Sequence, residues 1–176
     1  MRFASLVAPL ALTVLLSAAA PALADPDELT YVYYKIGQAP DATDNLYLRE
    51  DVSPSQDYPG TTMVFMMLTR AGPRVKDGTF AIHIGGYVRC DDDTMAVTDH
   101  SLYDRTGSVT AGDDLDGGHP DFKPVDMDSQ YGLVIKIACG QFDMKSLPTT
   151  GEVAVHDLIT ADTAAYDAKN GGAYAY

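Results

Sequence analysis

The chain is short of positive charge. Its 176 residues hold 12 Lys and Arg against 25 Asp and Glu, and the formal net charge is −13. Nucleic-acid binding depends on cations that neutralise phosphates, and anionic lipid head groups repel a surface of this sign. The composition therefore argues against nucleic-acid and anionic-membrane partners, and it favours solubility.

Long apolar runs are also missing, apart from one at the N-terminus. Residues 6–20 read LVAPLALTVLLSAAA, and residues 22–24 supply the small-residue pattern that signal peptidase cleaves. A membrane span needs about 20 apolar residues, whereas this run is shorter and is interrupted by Pro9 and flanked by Pro21. We interpret residues 1–24 as a secretory signal peptide. We expect the protein in the periplasm or at the cell surface of a Gram-negative-type bacterium, with no transmembrane segment after signal removal.

Cysteine is scarce, with two residues at positions 90 and 139. An even number of cysteines in an exported chain is typical of disulfides, and here a single pairing is available. The bond would close a loop of about 50 residues, worth roughly 4 kcal/mol in the chain-entropy account. A zinc site needs about four ligands, which no CxxC or HxxxH spacing provides. We therefore predict a Cys90–Cys139 disulfide.

Motifs of catalysis and cofactor binding are absent from the sequence. It contains no HExxH, GxSxG, P-loop or GxGxxG pattern. Among the four histidines, His83 lies between two isoleucines of a predicted strand, which favours a surface or sheet-edge residue over a catalytic base. We expect a non-catalytic protein without a cofactor, and a small hydrolase is the least favoured alternative.

Oxygen ligands are densest in the acidic stretch 113–121. Calcium takes six to eight oxygens, but the calcium-hand pattern fails here, because Gly112 stands where Asp belongs and Lys123 where Glu belongs. We expect a solvated turn and no metal. The residues that would hold a divalent cation are Asp113, Asp114, Asp116 and Asp121.

One predicted turn of this acidic chain carries three positive charges, from Arg70, Arg74 and Lys76. It offers a contact for an anionic partner, and the alternative is a plain solvated hairpin turn. An unpaired sheet edge is the other expected contact, because it can accept a strand from another chain or from a second copy.

Runs of aromatic and β-branched residues predict an antiparallel sheet of about five or six strands. The predicted strands cover residues 29–36, 46–48, 61–69, 79–90, 94–103 and 152–158. The Gly85-Gly86 pair predicts a bulge or a close backbone contact. Residues 107–121 are polar and glycine-rich, and they are predicted as a loop.

Two further segments have sequence features that are typical of helices. Residues 131–139 fit a strand by their β-branched content, yet they also fit one face of a helix that Ser129 would cap and Gly140 would end. Residues 162–170 predict a short C-terminal helix, followed by a disordered tail.

Taken in order, these pieces resemble the surface-adhesin protein E family of bacterial exported proteins. The similarity extends over about residues 29–140. Its pieces are an aromatic strand with Tyr31 and Tyr33, a tyrosine-containing strand at 45–51, an apolar strand at 61–68, Tyr87-Val88-Arg89-Cys90, residues 103–107, Phe122-Lys123-Pro124-Val125 and residues 129–139.

The resemblance implies an α+β fold, in which a small antiparallel sheet carries one helix near the second cysteine and a disulfide pins the two. It favours helix at 131–139, a domain over residues 25–145 and a C-terminal extension over 146–176. The family's named member is a surface lipoprotein that binds host matrix proteins. This chain differs, because it lacks a lipidation cysteine, has Tyr and Phe where the family often has Trp, and is acidic.

The function expected from these features is protein–protein contact in the cell envelope. The partner would be another envelope or extracellular protein, or a second copy in a homodimer. The alternative is a periplasmic structural or stress-related protein without a dedicated ligand.

Overall fold

The chain folds mainly as an antiparallel sheet with two helices, in a computed structural model that describes residues 29–37, 44–70, 78–114 and 119–170. The expected signal peptide and C-terminal tail lie outside these residues. The strands are β1 (Thr30–Gly37), β2 (Asp44–Arg49), β3 (Ser53–Pro54), β4 (Thr62–Arg70), β5 (Ala81–Arg89), β6 (Thr94–Tyr103), β7 (Val109–Asp114), β8 (Lys123–Pro124) and β9 (Thr149–Ala154). The helices are α1 (Gln130–Ala138) and α2 (Val155–Asn170), with a short 3-10 helix at Met144–Ser146. The predicted α+β class is confirmed.

Seven strands follow one another across the described sheet in the order β7-β6-β5-β4-β2-β1-β9, while β3 pairs with β4 and β8 with β6. Every pairing is antiparallel. The sheet is thus larger than the five or six strands predicted. The apolar run predicted at 61–69 becomes β4, which stands in the middle of the order.

The bulge predicted at the glycine pair is confirmed. The register between β5 and β6 shifts between Gly85 and Gly86. A Cβ atom on Gly86 would lie 2.5 Å from the Ala96 carbonyl oxygen, so this close backbone approach requires glycine.

The loop prediction for residues 107–121 is wrong over β7. Residues 109–114 pair with β6, opposite Asp99 to Tyr103. Polar residues are compatible with this strand because it lies at the edge of the sheet and faces water, so its pairing depends on backbone hydrogen bonds rather than on apolar burial.

The sheet has an apolar core on each face. Successive side chains of a strand point to opposite faces, and the neighbours Met66 and Met67 of β4 are both fully buried, one in each core. Helix α1 covers the face of Met66, and helix α2 covers the face of Met67. The result is a three-layer arrangement in which the sheet lies between the two helices.

The segment at 131–139, which fitted both helix and strand, is the helix that the family resemblance favours. The Ser129 hydroxyl caps α1 by accepting the Gly132 N–H at 3.2 Å, and Gly140 ends it with a φ of +70°. Val134 and Ile135 are fully buried against the sheet. Apolar burial therefore decides between two states that local propensity leaves open.

The predicted Cys90–Cys139 disulfide is present, with a Cα–Cα distance of 5.6 Å. Cys90 directly follows β5 and Cys139 is the C-cap of α1. The bond therefore pins one end of α1 to the sheet.

The segment expected as a C-terminal extension adds β9 to the edge of β1 and α2 to one face of the sheet. The strand predicted at 152–158 is wrong beyond Ala154, where β9 ends, and the helix predicted at 162–170 begins directly after it, at Val155. Asp162 anchors α2 through three donors of the sheet. The Tyr47 hydroxyl lies 2.9 and 3.0 Å from its two carboxylate oxygens, Asn45 Nδ2 lies 3.2 Å away, and the Thr69 hydroxyl donates as well.

Removing the disulfide should lower the free energy of unfolding. The loop it closes has a sequence separation of 49, so a Cys90→Ser/Cys139→Ser variant should lose about 4 kcal/mol. Urea unfolding followed by circular dichroism measures this loss. A reductant should weaken the wild type similarly and leave the double variant unaffected, whereas equal stability of both proteins would contradict the prediction.

Removing the Asp162 anchor should also weaken the fold. In Asp162→Ala the buried hydroxyls of Tyr47 and Thr69 lose their acceptor, at a cost of about 1–3 kcal/mol. The matched control is Asp157→Ala, an exposed acid in the first turn of the same helix, which should cost less than about 1 kcal/mol. Equal losses in urea unfolding would show that Asp162 contributes no more than a helix-end charge.

Candidate functional site

An open apolar groove lies on the α1 face of the sheet, and we call it the β6 groove. Its volume is about 640 Å³. The apolar part of its lining is Ile84, Met95, Val97, Pro124, Val125 and Tyr131, and the polar part is Asp121, Lys123, Asp126 and Ser129.

The groove exists because α1 covers only part of its face. The helix contacts β1 and β4, and the groove lies over β5 and β6. Its other wall is the segment before α1, which β8 fixes to the start of β6 and which the Val125 N–H holds by donating to the Asp93 carbonyl at 3.2 Å. Val97, at the floor of the groove, keeps 39% of its surface exposed.

The polar groups of the groove lie at its rim and are already engaged. Lys123 forms an exposed ion pair with Asp121 at 3.1 Å. The Ser129 hydroxyl donates to the Asp126 carbonyl and serves as the cap of α1. An apolar floor with a polar rim suits the binding of another molecule.

Strand β7 forms the neighbouring edge of the sheet. Val109 is 63% exposed, and residues 110–113 are exposed as well. Within the described chain, β7 pairs with β6 and with no other strand. Its outer backbone edge therefore faces solvent.

The expected cation ligands do not come together in the described residues. Asp113 and Asp114 belong to β7, Asp121 pairs with Lys123 at the groove, and Asp116 lies outside the described residues. The described residues contain no cluster of three or more His, Cys, Asp or Glu side chains suited to a metal ion.

The basic turn is only partly described. Arg70 ends β4, where its guanidinium pairs with Asp44 at 3.2 Å and donates to the Thr79 carbonyl at 3.4 Å. It therefore has a structural role at the ends of β2 and β4. Arg74 and Lys76 lie outside the described residues, and their role as partner contacts stays a prediction.

Three aromatic rings and one guanidinium group form a row across the α2 face, which we call the Arg49 row: Tyr31, Arg49, Phe65 and His83. The Arg49 guanidinium lies 4.2 Å from the Tyr31 ring centre and 3.8 Å from that of Phe65, and it forms a bidentate pair with Asp51 at 2.6 Å. His83 stacks on Phe65, with ring centres 5.9 Å apart. The three rings and the guanidinium belong to four different strands, and the sheet register brings them together.

His83 differs from its expected position at the surface or a sheet edge. Its strand, β5, lies between β4 and β6, and the imidazole is half-buried. Burial lowers the pKa of His83, and the nearby Arg49 charge lowers it further, while Asp99 and Asp51 oppose the shift.

The β6 groove was not predicted from the sequence. Ile84, Met95 and Val97 lie on correctly predicted strands, and their apolar character is visible in the sequence. Which part of the face α1 leaves open depends on where the helix packs, and no local signal reports that.

Comparisons with known proteins give a likeness in fold only. No protein-family model and no curated protein matches the chain. A solved structure of Haemophilus influenzae protein E has a TM-score of 0.40 and 12% identity, over 62% of this chain and 95% of that one. A second crystal form of the same protein has a TM-score of 0.41 and 11% identity, over 61% and 97% of the two chains. The resemblance to the adhesin family is thus a weak fold-level link without a sequence family, and it carries no argument about function.

No described helix combines the length and the apolar character that crossing a membrane requires.

The buried Tyr33 should make the stability of the fold depend on pH in the alkaline range. It is fully buried, and its hydroxyl has no hydrogen-bond partner among the described residues. Burial raises its pKa from 10.0 to about 12, against the opposing effect of Arg49. Between these values the unfolded chain loses a proton that the native chain keeps, so stability should fall as pH rises through this window.

Tyr33→Phe should remove part of this fall, because phenylalanine has no proton to lose. At pH 8 the variant should be at least as stable as the wild type, since a buried hydroxyl without a partner contributes no compensated hydrogen bond. Urea unfolding at a series of pH values measures both effects. A less stable variant with an unchanged alkaline slope would contradict the prediction.

Proposed function

We propose that this chain is an exported, non-catalytic cell-envelope protein that acts by binding another protein through the β6 groove. The single observation that carries the proposal is the groove itself, an apolar part of the sheet that neither helix covers. Water contact with an apolar floor is unfavourable, and a partner that buries the floor recovers about 25 cal/mol for each Å².

The surroundings of the groove suit an interface with a protein. A specific interface buries about 800 Å² on each partner, with an apolar centre and a polar rim. The groove supplies the centre. Exposed charges of Asp121, Lys123 and Asp126 and the neighbouring strand β7 supply a polar surround.

Two features support export. The first 24 residues have the charged start, apolar run and small-residue cleavage site of a signal peptide. The Cys90–Cys139 bond is the kind of cross-link that persists in oxidising compartments.

N-terminal sequencing of the purified protein should therefore begin at Asp25, and a cytoplasmic pool that retains Met1 would contradict export.

A single charge in the groove tests the proposal. Val97→Glu places a carboxylate on the apolar floor and should abolish recovery of the partner from an envelope extract, because a buried unpaired charge is costly. The matched control is Phe142→Glu, since Phe142 has the same 39% exposure and follows the other end of α1. Tagged proteins are compared by affinity purification and mass spectrometry.

The wild type and Phe142→Glu should recover the same partner, and Val97→Glu should not. Equal recovery by all three proteins would place the contact elsewhere, and an Arg74→Ala/Lys76→Ala variant then tests the basic turn without disturbing the Arg70–Asp44 pair. Recovery of no partner by any protein would overturn the proposal in favour of a structural or stress-related role.

A further inference from the structure

We infer that β7 is a docking edge for a basic, extended segment of another protein, which adds a strand to the sheet. The inference rests on the proposed function, because it names the chemistry of a partner that would bind beside the β6 groove. It depends on three observations: the exposure of β7, its contrast with the opposite edge, and its charge.

The backbone of β7 is accessible. Ala111 and Gly112 present little side chain, and the Thr110 hydroxyl turns back to donate to the Leu102 carbonyl of β6 at 3.2 Å. From Ala111 to Asp114 the strand keeps an uninterrupted register with β6. An edge with a regular backbone and small side chains is suited to strand addition.

The opposite edge is more irregular than β7, whose register with β6 shifts once, between Val109 and Ala111. In β9, Gly151 has a φ of +72°, and the register with β1 shifts between Val32 and Tyr34. The Thr149 hydroxyl accepts the Gly151 N–H at 3.1 Å, and the Thr150 hydroxyl donates to the Gly151 carbonyl at 2.7 Å. Irregular geometry of this kind hinders an edge strand from pairing with a strand of another chain.

The charge of β7 selects the partner. The strand has no lysine and no proline, the residues that most often block edges. Its charged residues are Asp113 and Asp114, and Asp99 of β6 stands opposite Asp114 in the register. Opposite charges on facing strand positions stabilise a pair and like charges destabilise it. This edge therefore disfavours acidic strands and favours a strand rich in Lys or Arg.

The test uses the full mature chain with its disulfide and three capped hexapeptides. The first alternates Lys and Thr, the second alternates Glu and Thr, and the third alternates Lys and Pro. The lysine–proline peptide keeps the charge of the first but lacks half of the backbone donors that strand pairing needs. Backbone amide NMR titration gives the affinity of each peptide and the residues that it contacts.

The lysine–threonine peptide should shift the amides of residues 109–114. It should bind about tenfold more tightly than either other peptide, since it alone combines charge attraction with strand pairing, and it should weaken as salt rises above about 0.15 M. Asp113→Lys should lower its affinity about tenfold. The matched control is Asp91→Lys, an exposed residue in the β5–β6 turn that changes the net charge equally, and it should keep nearly wild-type binding.

Equal binding of the lysine–proline peptide, equal weakening by Asp91→Lys, or shifts that lie outside β7 would overturn the inference in favour of general charge attraction. Shifts of 109–114 that depend on the concentration of the free protein would show a second copy at the edge and would overturn it as well. The groove variant separates the two proposals. If Val97→Glu loses the envelope partner while the peptide fails to bind β7, the proposed function stands and this inference falls.

Discussion

The burial of β4 on both of its sides is the constraint on which the other layers depend. Val64 and Met66 are fully buried on one face of this central strand and Met67 on the other. A sheet with two apolar faces needs a cover on each, and an antiparallel sheet with one cover would leave a face in water. Helix α1 provides one cover and helix α2 the other.

The two covers are attached by different chemistry. Helix α2 is anchored near its centre by Asp162, which meets three polar donors of the sheet. Helix α1 is capped locally by Ser129 at its start, and the disulfide at Cys139 joins its other end to the residue that follows β5. Helix α1 contacts β1 and β4, and the part of the same face over β5 and β6 stays open as the groove.

The acidic composition has different consequences at different places in the fold. Several carboxylates have structural partners, such as Asp51 with Arg49 and Asp44 with Arg70. Others lie on exposed backbone, as Asp113 does on β7. A charge of one sign on an accessible sheet edge repels strands of the same sign and attracts the opposite one. The inferred preference of the β7 edge for basic strands therefore rests on the local charge of Asp113 rather than on the net charge of the chain.

The sequence by itself determined the elements whose signals are local. The strands at 61–69 and 94–103, the bulge at Gly85-Gly86 and the disulfide all followed from residue types and spacing, because alternation, glycine geometry and cysteine chemistry act over a few residues or leave one pairing. Tertiary structure decided the rest. Residues 109–114 became a strand through pairing with β6, and residues 131–139 became a helix, the outcome that only the family resemblance had favoured, through burial of Val134 and Ile135. The groove and the Arg49 row depend on packing and register between distant segments, which no local pattern encodes.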